Sequence, residues 1–378
     1  MQFAGGWPYQ TIPVLLLSVS LVSSSRQIKK RHSIMKQAKV RLGALALSSM
    51  RLHKLMFLLI GLALLLVSMS YWAVNRVLQE EWEKTDFDFA RLMESIHEHK
   101  GFLRTTALSY GQTKDILSID NKPRLHIELM RQGDERLFLN RDTHKSLPFT
   151  VSQRDRFTTG DMQGAYSFGV QLTDLFAAYW SDSYHSSPQV FVFSPARQFT
   201  IAVPGIDDTR QYGTLFKSNF FEVERRLHDV LVPARDALNS ERMVWLKAPP
   251  DLILGHKYIV GAIGVDISPR FMPAPDEDGT VVLAALVDVS DVSDQNRLLM
   301  RPTNSSLTLI SPAGDVLLGD DPQVGKLPLG LSFTRDGLRF KLSSGGAEPW
   351  IGLYAISYQK FFGYAIWPVM GAAGLLLL

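Results

Sequence analysis

Residues 55–74 constrain this chain more than any other stretch, because they contain no charged residue. At ~1.5 Å per residue, a helix of this length reaches about 30 Å, which is the thickness of the hydrocarbon core of a bilayer. Eleven of the residues are Leu, Ile, Phe or Val. Together they favour membrane insertion by about 5 kcal/mol. A core helix of a soluble protein would carry a polar stripe, whereas only Gly61, Ser68 and Ser70 interrupt the apolar residues here. We therefore predict a transmembrane helix at residues 55–74.

The flanks of this segment predict its orientation. Nine Lys and Arg residues lie between positions 24 and 54, no Asp or Glu precedes the span, and acidic residues follow it between positions 80 and 88. Short loops rich in Lys and Arg stay in the cytoplasm, and Tyr71 and Trp72 suit the opposite membrane interface. We expect residues 1–54 to be a basic cytoplasmic leader whose start is over-long, with Met35 or Met50 as the true first residue.

A second uncharged stretch, residues 361–378, closes the sequence. Helices in lipid tolerate a proline such as Pro368, so we predict a second span, cut short. Two spans place residues 75–360 in the periplasm of a bacterial inner membrane, in a multi-pass protein. The lipid bilayer is then a partner of the chain.

Composition excludes several classes of function. The chain has no cysteine, which removes disulfides, thiol nucleophiles, thiolate zinc sites and iron–sulfur clusters. Its net charge of +3 comes from the basic leader, so we expect no nucleic-acid partner. No motif of a phosphate-binding loop, a serine hydrolase or a zinc protease is present. An exported enzyme is therefore the least favoured class.

Residues 75–106, called the stalk from here on, predict one long helix that continues out of the membrane. Its apolar positions alternate at spacings of four and three residues, with two polar interruptions. They are Leu78, Trp82, Thr85, Phe89, Leu92, Ile96, His99 and Leu103. This pattern is typical of a dimeric coiled coil or of a helix that packs along its own domain, and both remain open. A homodimer is therefore expected but not established.

The periplasmic part is predicted to be an α+β fold in two units. Residues 75–300 contain the stalk, a helix at 172–184, a β-hairpin at 189–203, a helix at 212–238, and three strands at 243–248, 258–265 and 280–288. The simplest assembly is an antiparallel sheet with helices on one face. Residues 301–360 form a smaller sheet, with strands at 306–310, 316–318, 337–342 and 350–356.

Few residues occur in a pattern that is typical of ligand binding, acid sensing or metal binding. Tyr179, Trp180, Tyr184 and Arg197 combine aromatic walls with a polar group, as ligand clefts do, although aromatic residues beside a hairpin are more often core. His99 lies in the apolar stripe of the stalk, where its protonation could loosen a helix pair. Glu94 and His97 are spaced to share a divalent metal, but a solvated helix surface explains them better, and we expect no metal site and no catalytic residue.

The order of segments resembles the membrane-anchored hybrid sensor histidine kinases of bacteria, and most closely the sensors of the Rcs capsule-synthesis phosphorelay. The resemblance covers roughly residues 50–378. It is carried by LFAAYWSDSY and QVFVFS around positions 175–194, by YIVGAIGVDIS from Tyr258, and by SLTLISPAGDVLL and WIGLYAISYQKFF in the closing unit.

The closing unit also resembles a PAS-like or Cache-like module, whose first strand runs into a P-x-G turn such as Pro312-Ala-Gly314. The resemblance implies tandem PAS/Cache-like sensor modules that pass a periplasmic stimulus from an unknown ligand or envelope protein to a cytoplasmic kinase. That kinase, with its ATP, magnesium and response-regulator or phosphotransfer partner, would lie outside this chain, which itself needs no cofactor. The input region of a chemoreceptor or of a diguanylate cyclase receptor, or a non-signalling envelope scaffold, remains an alternative.

Overall fold

A computed structural model describes most of the chain from His32 onward. The described residues are 32–112, 125–141, 147–154, 163–181, 183, 188–194, 199–205, 219–239, 242–250, 252, 257–266, 280–289, 306–321, 323–346 and 349–377. The chain divides into two compact units, residues 1–68 and residues 69–378. The predicted leader before residue 32 lies outside the described residues.

One helix, α1 (His32–Gln112), begins in the first unit and ends in the second. It contains 81 residues and no proline, so its backbone hydrogen bonds are uninterrupted. In its most apolar window only 6% of the residues are buried, whereas the core helix of a soluble protein would be mostly buried. Among the described residues, it is the helix that is long and apolar enough to cross a membrane. The predicted span at 55–74 and the continuous stalk are both part of α1.

Eight strands form a large antiparallel sheet in the order β1-β2-β3-β5-β4-β8-β7-β6. The strands are β1 (Leu125–Gln132), β2 (Glu135–Arg141), β3 (Phe149–Arg154), β4 (Gln189–Phe193), β5 (Phe199–Val203), β6 (Met243–Lys247), β7 (Tyr258–Asp266) and β8 (Thr280–Asp288). The predicted hairpin is confirmed as β4 and β5, with Val190 opposite Val203. The three predicted strands that follow are confirmed as β6, β7 and β8.

The large sheet has helices on both faces, so the expectation of helices on one face is wrong. One face packs against the distal part of α1 and against α2 (Gln163–Trp180). The other face packs against α3 (Phe220–Leu231) and α4 (Arg235–Asn239). The physical reason is that the central strands β4, β5 and β8 are apolar on both sides, and such strands need cover on each face.

The helix boundaries differ from those expected from the sequence. The helix predicted at 172–184 begins earlier, at Gln163, and ends at Trp180. Of the helix predicted at 212–238, residues 212–218 lie outside the described residues, and the remainder is α3 followed by a 3₁₀ turn, Val232–Ala234, and then α4. Pro233 lies in that turn, as its lack of a backbone N–H requires. Asn219 begins α3, because its side-chain oxygen accepts a hydrogen bond from the Glu222 N–H.

Five strands form a second, smaller antiparallel sheet in the order β10-β9-β13-β12-β11. They are β9 (Ser306–Ile310), β10 (Val316–Leu318), β11 (Gly330–Thr334), β12 (Gly337–Ser343) and β13 (Ile351–Ser357). If each set is numbered from its first strand, the order is 2-1-5-4-3, and the five strands β5-β4-β8-β7-β6 of the large sheet have the same order. The two sheets therefore repeat one topology, which the large sheet extends by β1, β2 and β3.

The stalk packs along both sheets. Its distal residues Phe102 and Leu103 belong to the core of the large sheet, together with α2. Its earlier residues Phe89, Leu92 and Ile96 belong to a core that contains the small sheet and the ends of β7 and β8. The predicted apolar stripe is thus covered by the protein's own two cores.

A final helix, α5 (Tyr358–Leu377), follows β13 without a connecting loop. Its residue Phe361 is buried in the same core as Val77 of α1. The part of α1 just beyond the predicted span therefore lies beside the start of α5.

Candidate functional site

Two of the residues proposed from the sequence as ligand contacts, Tyr179 and Trp180, lie at the end of α2 against the stalk. The Tyr179 hydroxyl donates a hydrogen bond of 3.0 Å to the backbone carbonyl of Glu98. Burial, with a smaller contribution from the Glu98 charge, raises the pKa of Tyr179 above its usual value. Tyr184 and Arg197 lie outside the described residues.

Gly101 explains how Tyr179 comes so close to the stalk. A Cβ atom added at Gly101 would lie 2.7 Å from the Tyr179 hydroxyl, which is closer than two such atoms can pack. The Tyr179 hydroxyl therefore occupies the space that a side chain at Gly101, the single glycine of the stalk, would need. This contact and the hydrogen bond to Glu98 join α2 to the stalk.

His99 is buried between the stalk and α2. Its ring centroid lies 4.8 Å from that of Trp180, and its Nδ1 atom lies 2.6 Å from the Ser95 carbonyl oxygen. The sequence predicts that His99 could sense acid between two paired helices, and the structure places its ring against Trp180 of α2 in the same chain. Protonation there would act on the contact between α1 and α2.

Glu94 and His97 lie on the exposed side of the stalk. Within the described ranges, no group of three or more His, Asp or Glu side chains is placed to hold a metal ion.

The structure contains a further site that the sequence did not predict, a cleft of about 910 Å³ where the two sheets and the stalk meet. One wall is the stalk from Met93 to Arg104, the second is strand β6 with Arg242, and the third is the β9–β10 turn with Trp350. We call it the inter-sheet cleft. All three walls belong to the unit of residues 69–378.

The floor of the inter-sheet cleft is aromatic. Trp245 of β6 and Trp350, which precedes β13, meet edge to face with ring centroids 5.3 Å apart. The Trp245 ring can lie flat on the large sheet because Gly261 of the neighbouring strand has no side chain, and an added Cβ would lie 2.8 Å from the indole. The residues of β6 are half-buried because β6 is the last strand of its sheet and has a neighbour on one side only.

The turn between β9 and β10 closes one side of the cleft. Its residues 311–315 hold a tight conformation in which the Ser311 N–H donates to the Asp315 carbonyl and the Gly314 N–H donates to the Ser311 carbonyl. Gly314 has a φ of +93°, which favours glycine. The P-x-G sequence singled out in the closing unit is therefore a structural turn that faces the cleft.

Positive charge predominates in the inter-sheet cleft. Lys100 and Arg104 project from consecutive turns of the stalk, Arg242 lies at the start of β6, and His97 adds an imidazole. Asp315 is the one carboxylate among the described residues that line it. Part of this pattern was visible in the sequence, since His97, Lys100 and Arg104 share a helix face, but Arg242 and Asp315 join them only through the fold.

Three solved structures with limited similarity to this chain are ligand-binding or extracellular domains. No family model matches the sequence, and no curated protein matches it. The ligand-binding domain of the Pseudomonas aeruginosa PAO1 amino-acid chemoreceptor PctC, solved with GABA, is similar at 15% identity over 44% of this chain and 74% of that one, with a TM-score of 0.24. The ligand-binding domain of PctB from the same organism, solved with L-Gln, has 12% identity over 46% and 69%, with a TM-score of 0.25.

The extracellular domain of a proposed histidine kinase is also similar, at 12% identity over 53% of this chain and 83% of that one, with a TM-score of 0.26. Similarities of this size do not define the function of this chain.

Proposed function

We propose that the chain is the signal-sensing input region of a transmembrane receptor, in which residues of about 75–360 lie in the periplasm and report through the membrane helices. One observation carries the proposal. Helix α1 runs without interruption from the apolar segment into the cores of both sheets. A change in how either sheet packs against the stalk therefore acts on the same helix that contains the apolar segment.

The start of α5 supports a second connection to the membrane. This helix continues directly from β13, and Phe361 packs in the core that also holds Val77 of α1. Residues 361–378 carry no charge. With α5 as the second span, both membrane helices begin at the same part of the folded region. A small shift in that part would then displace both helices.

A receptor of this kind works only if its stimulus distinguishes two arrangements. A ligand shifts an equilibrium by no more than the difference between its affinities for the two states. A site bounded by both sheets and the stalk satisfies this condition, because its shape depends on how these parts are placed. The inter-sheet cleft is such a site, and the contact of Tyr179 and Trp180 with the stalk is a second place where a stimulus could act.

The receptor class that we favour is the hybrid sensor histidine kinase, with the Rcs phosphorelay sensors as the nearest group. The repeated 2-1-5-4-3 strand order supports two tandem modules of PAS/Cache-like type. In this proposal the chain passes its signal to a cytoplasmic kinase that uses ATP and magnesium and transfers phosphate to a response regulator or phosphotransfer protein. A homodimer, also proposed, would use surfaces other than the part of the apolar stripe from Thr85 to Leu103, because that part is buried within one chain.

The proposal is tested with chimeras in which residues 50–378 replace the sensor and membrane helices of a histidine kinase of known output. A set of junctions that differ by single residues covers one turn of helix, so that the helix phase is sampled. Gly352→Ala, which forces the side chain of Phe89 on the stalk away from β13, is then compared with Gly325→Ala, where an added Cβ meets nothing. We expect Gly352→Ala to change kinase output severalfold in at least one junction, and Gly325→Ala to leave it unchanged.

A non-signalling envelope scaffold predicts a different result. In that case both glycine variants would give the same output in every junction, although all chimeras reach the membrane in equal amounts. That outcome would contradict the proposed function.

A further inference from the structure

We propose that the inter-sheet cleft binds a small organic anion that carries an apolar or aromatic body. The proposal deepens the proposed function by naming the class of ligand that the receptor would detect. Binding itself can be measured without any signalling output.

The first argument is charge. Within the described part of the chain, the side chains of Lys100, Arg104 and Arg242 make no hydrogen bond and no ion pair. Three cations that line one cleft repel one another, and Asp315, which carries the one carboxylate among the described lining residues, forms no ion pair with them. An anionic group between the stalk and β6 would relieve this repulsion and would accept charge-assisted hydrogen bonds from both sides.

The second argument is the apolar surface beside these cations. Met93 and Ile96 of the stalk, Val244 of β6 and the Trp245–Trp350 pair face the same space. Ligand sites combine apolar and aromatic walls with a few placed polar groups. A purely inorganic anion would leave this surface in water, so the cleft favours an anion with an apolar or aromatic body.

The third argument is size. The cleft volume of about 910 Å³ falls within the range of roughly 300–1,000 Å³ that is typical of small-molecule sites. A ligand of that size would contact the stalk, β6 and the β9–β10 turn at once. Its affinity would therefore depend on the relative placement of these parts, which is the property that a sensory ligand needs.

The absence of cysteine from the sequence allows a specific test. Ala313→Cys places one thiol on the exposed β9–β10 turn that lines the cleft, and the full chain is assayed in lipid nanodiscs. The rate of maleimide labelling is measured with increasing naphthalene-1-sulfonate, and separately with the neutral naphthalene-1-sulfonamide. We expect the sulfonate to slow labelling with a saturable dependence at millimolar concentration or below, and the sulfonamide to have a much weaker effect.

The charge requirement is tested in the same assay. The double variant Lys100→Gln/Arg104→Gln should raise the apparent dissociation constant of the sulfonate by about tenfold or more. The charge-preserving pair Lys100→Arg/Arg104→Lys should retain protection. Arg225→Gln, at an exposed arginine of α3 away from the cleft, is the matched control and should change nothing.

A thiol at Ala178, exposed on α2 and away from the cleft, should label at a rate independent of the sulfonate. Ser344→Cys provides a second thiol in the cleft if Ala313→Cys alters the turn. The proposal is overturned if the sulfonate protects neither cleft thiol or if the sulfonamide protects them equally well. It is also overturned if Lys100→Gln/Arg104→Gln leaves the protection by the sulfonate unchanged. If the sulfonate protects the cleft thiols while Gly352→Ala and Gly325→Ala give the same chimera output, the proposed function is contradicted and the proposed anion site is retained.

Discussion

The contact between Gly101 and Tyr179 predicts that the effect of Gly101→Ala on the stability of the protein depends on the Tyr179 hydroxyl group. An alanine at an exposed helix position is about 1 kcal/mol more favourable than a glycine. At Gly101, however, the added methyl group would meet the Tyr179 hydroxyl at 2.7 Å. The hydroxyl would have to move, and its hydrogen bond to the Glu98 carbonyl would be lost or lengthened.

The expected free energies follow from these contacts. Loss of one hydrogen bond costs about 0.5–1.5 kcal/mol. Gly101→Ala should therefore change the stability by no more than about 0.5 kcal/mol in either direction, because the gain of about 1 kcal/mol in helix propensity is offset by the lost hydrogen bond. In a Tyr179→Phe background the nearest ring carbon lies 3.9 Å from the added Cβ, an ordinary contact. There the same substitution should stabilise the protein by about 1 kcal/mol, a coupling of about 0.5–1.5 kcal/mol between the two positions.

The assay is urea-induced unfolding of the full chain in nanodiscs, followed by tryptophan emission, to which the neighbouring Trp180 contributes. Ala90→Gly on the exposed side of the same helix is the control for helix propensity alone. It should cost about 1 kcal/mol in both backgrounds. Equal effects of Gly101→Ala with and without the hydroxyl, to within about 0.3 kcal/mol, would refute the proposed packing of α2 on the stalk.

Two further predictions concern the cores. Gly352→Ala should destabilise the protein by about 1–3 kcal/mol in the same unfolding assay, because an added Cβ would lie 2.7 Å from the Phe89 ring, and an equal effect of Gly325→Ala would contradict this. Burial raises the pKa of Tyr166 to about 12. The folded state thus keeps this proton between pH ~10 and ~12 while the unfolded state releases it, so stability should fall by about 2–3 kcal/mol as pH rises through that window. Tyr166→Phe should remove this part of the loss of stability at alkaline pH. If the variant loses as much stability between pH ~9 and ~12 as the original protein, the Tyr166 hydroxyl does not contribute to that loss.

The sequence predicts the elements whose local pattern is strong. The strands β4, β5 and β8 are short continuous apolar runs bounded by turn residues, and the stalk has a regular spacing of apolar side chains. The strands β1, β2, β3 and β11 were not predicted. β1 and β2 carry charged residues among their apolar ones, and β11 is an edge strand with mostly half-buried residues. Their pairing depends on neighbouring strands, which a local pattern does not contain.

The stalk shows a second limit of local patterns. Its stripe was equally compatible with a partner stalk and with the chain's own domain, because an apolar face looks the same whatever covers it. The structure shows that Phe89, Leu92 and Ile96 face the small sheet, while Phe102 and Leu103 face the large one. Only the tertiary arrangement distinguishes the two alternatives.

The inter-sheet cleft could not be predicted from the sequence for a related reason. Arg104, Arg242 and Asp315 are far apart along the chain and meet only because both sheets pack on one helix. The four residues that the sequence predicts as a ligand site combine aromatic side chains with one arginine, as ligand clefts do. Of these, the two described residues, Tyr179 and Trp180, contact the stalk at Glu98 and His99, and their proposed role in ligand binding remains a prediction.

The most direct test of the whole account is the side of the membrane on which the folded part lies. Single cysteines at Ala313 and at Arg51 are treated in intact bacterial cells with a maleimide that does not cross the inner membrane, after the outer membrane has been permeabilised. Arg51 is used because it follows both expected start positions, Met35 and Met50. We predict that the thiol at position 313 is labelled in intact cells, and that the thiol at position 51 is labelled only after the inner membrane is broken. Labelling of position 51 with protection of position 313 until lysis would contradict the account, because the proposed sensor would then lie in the cytoplasm.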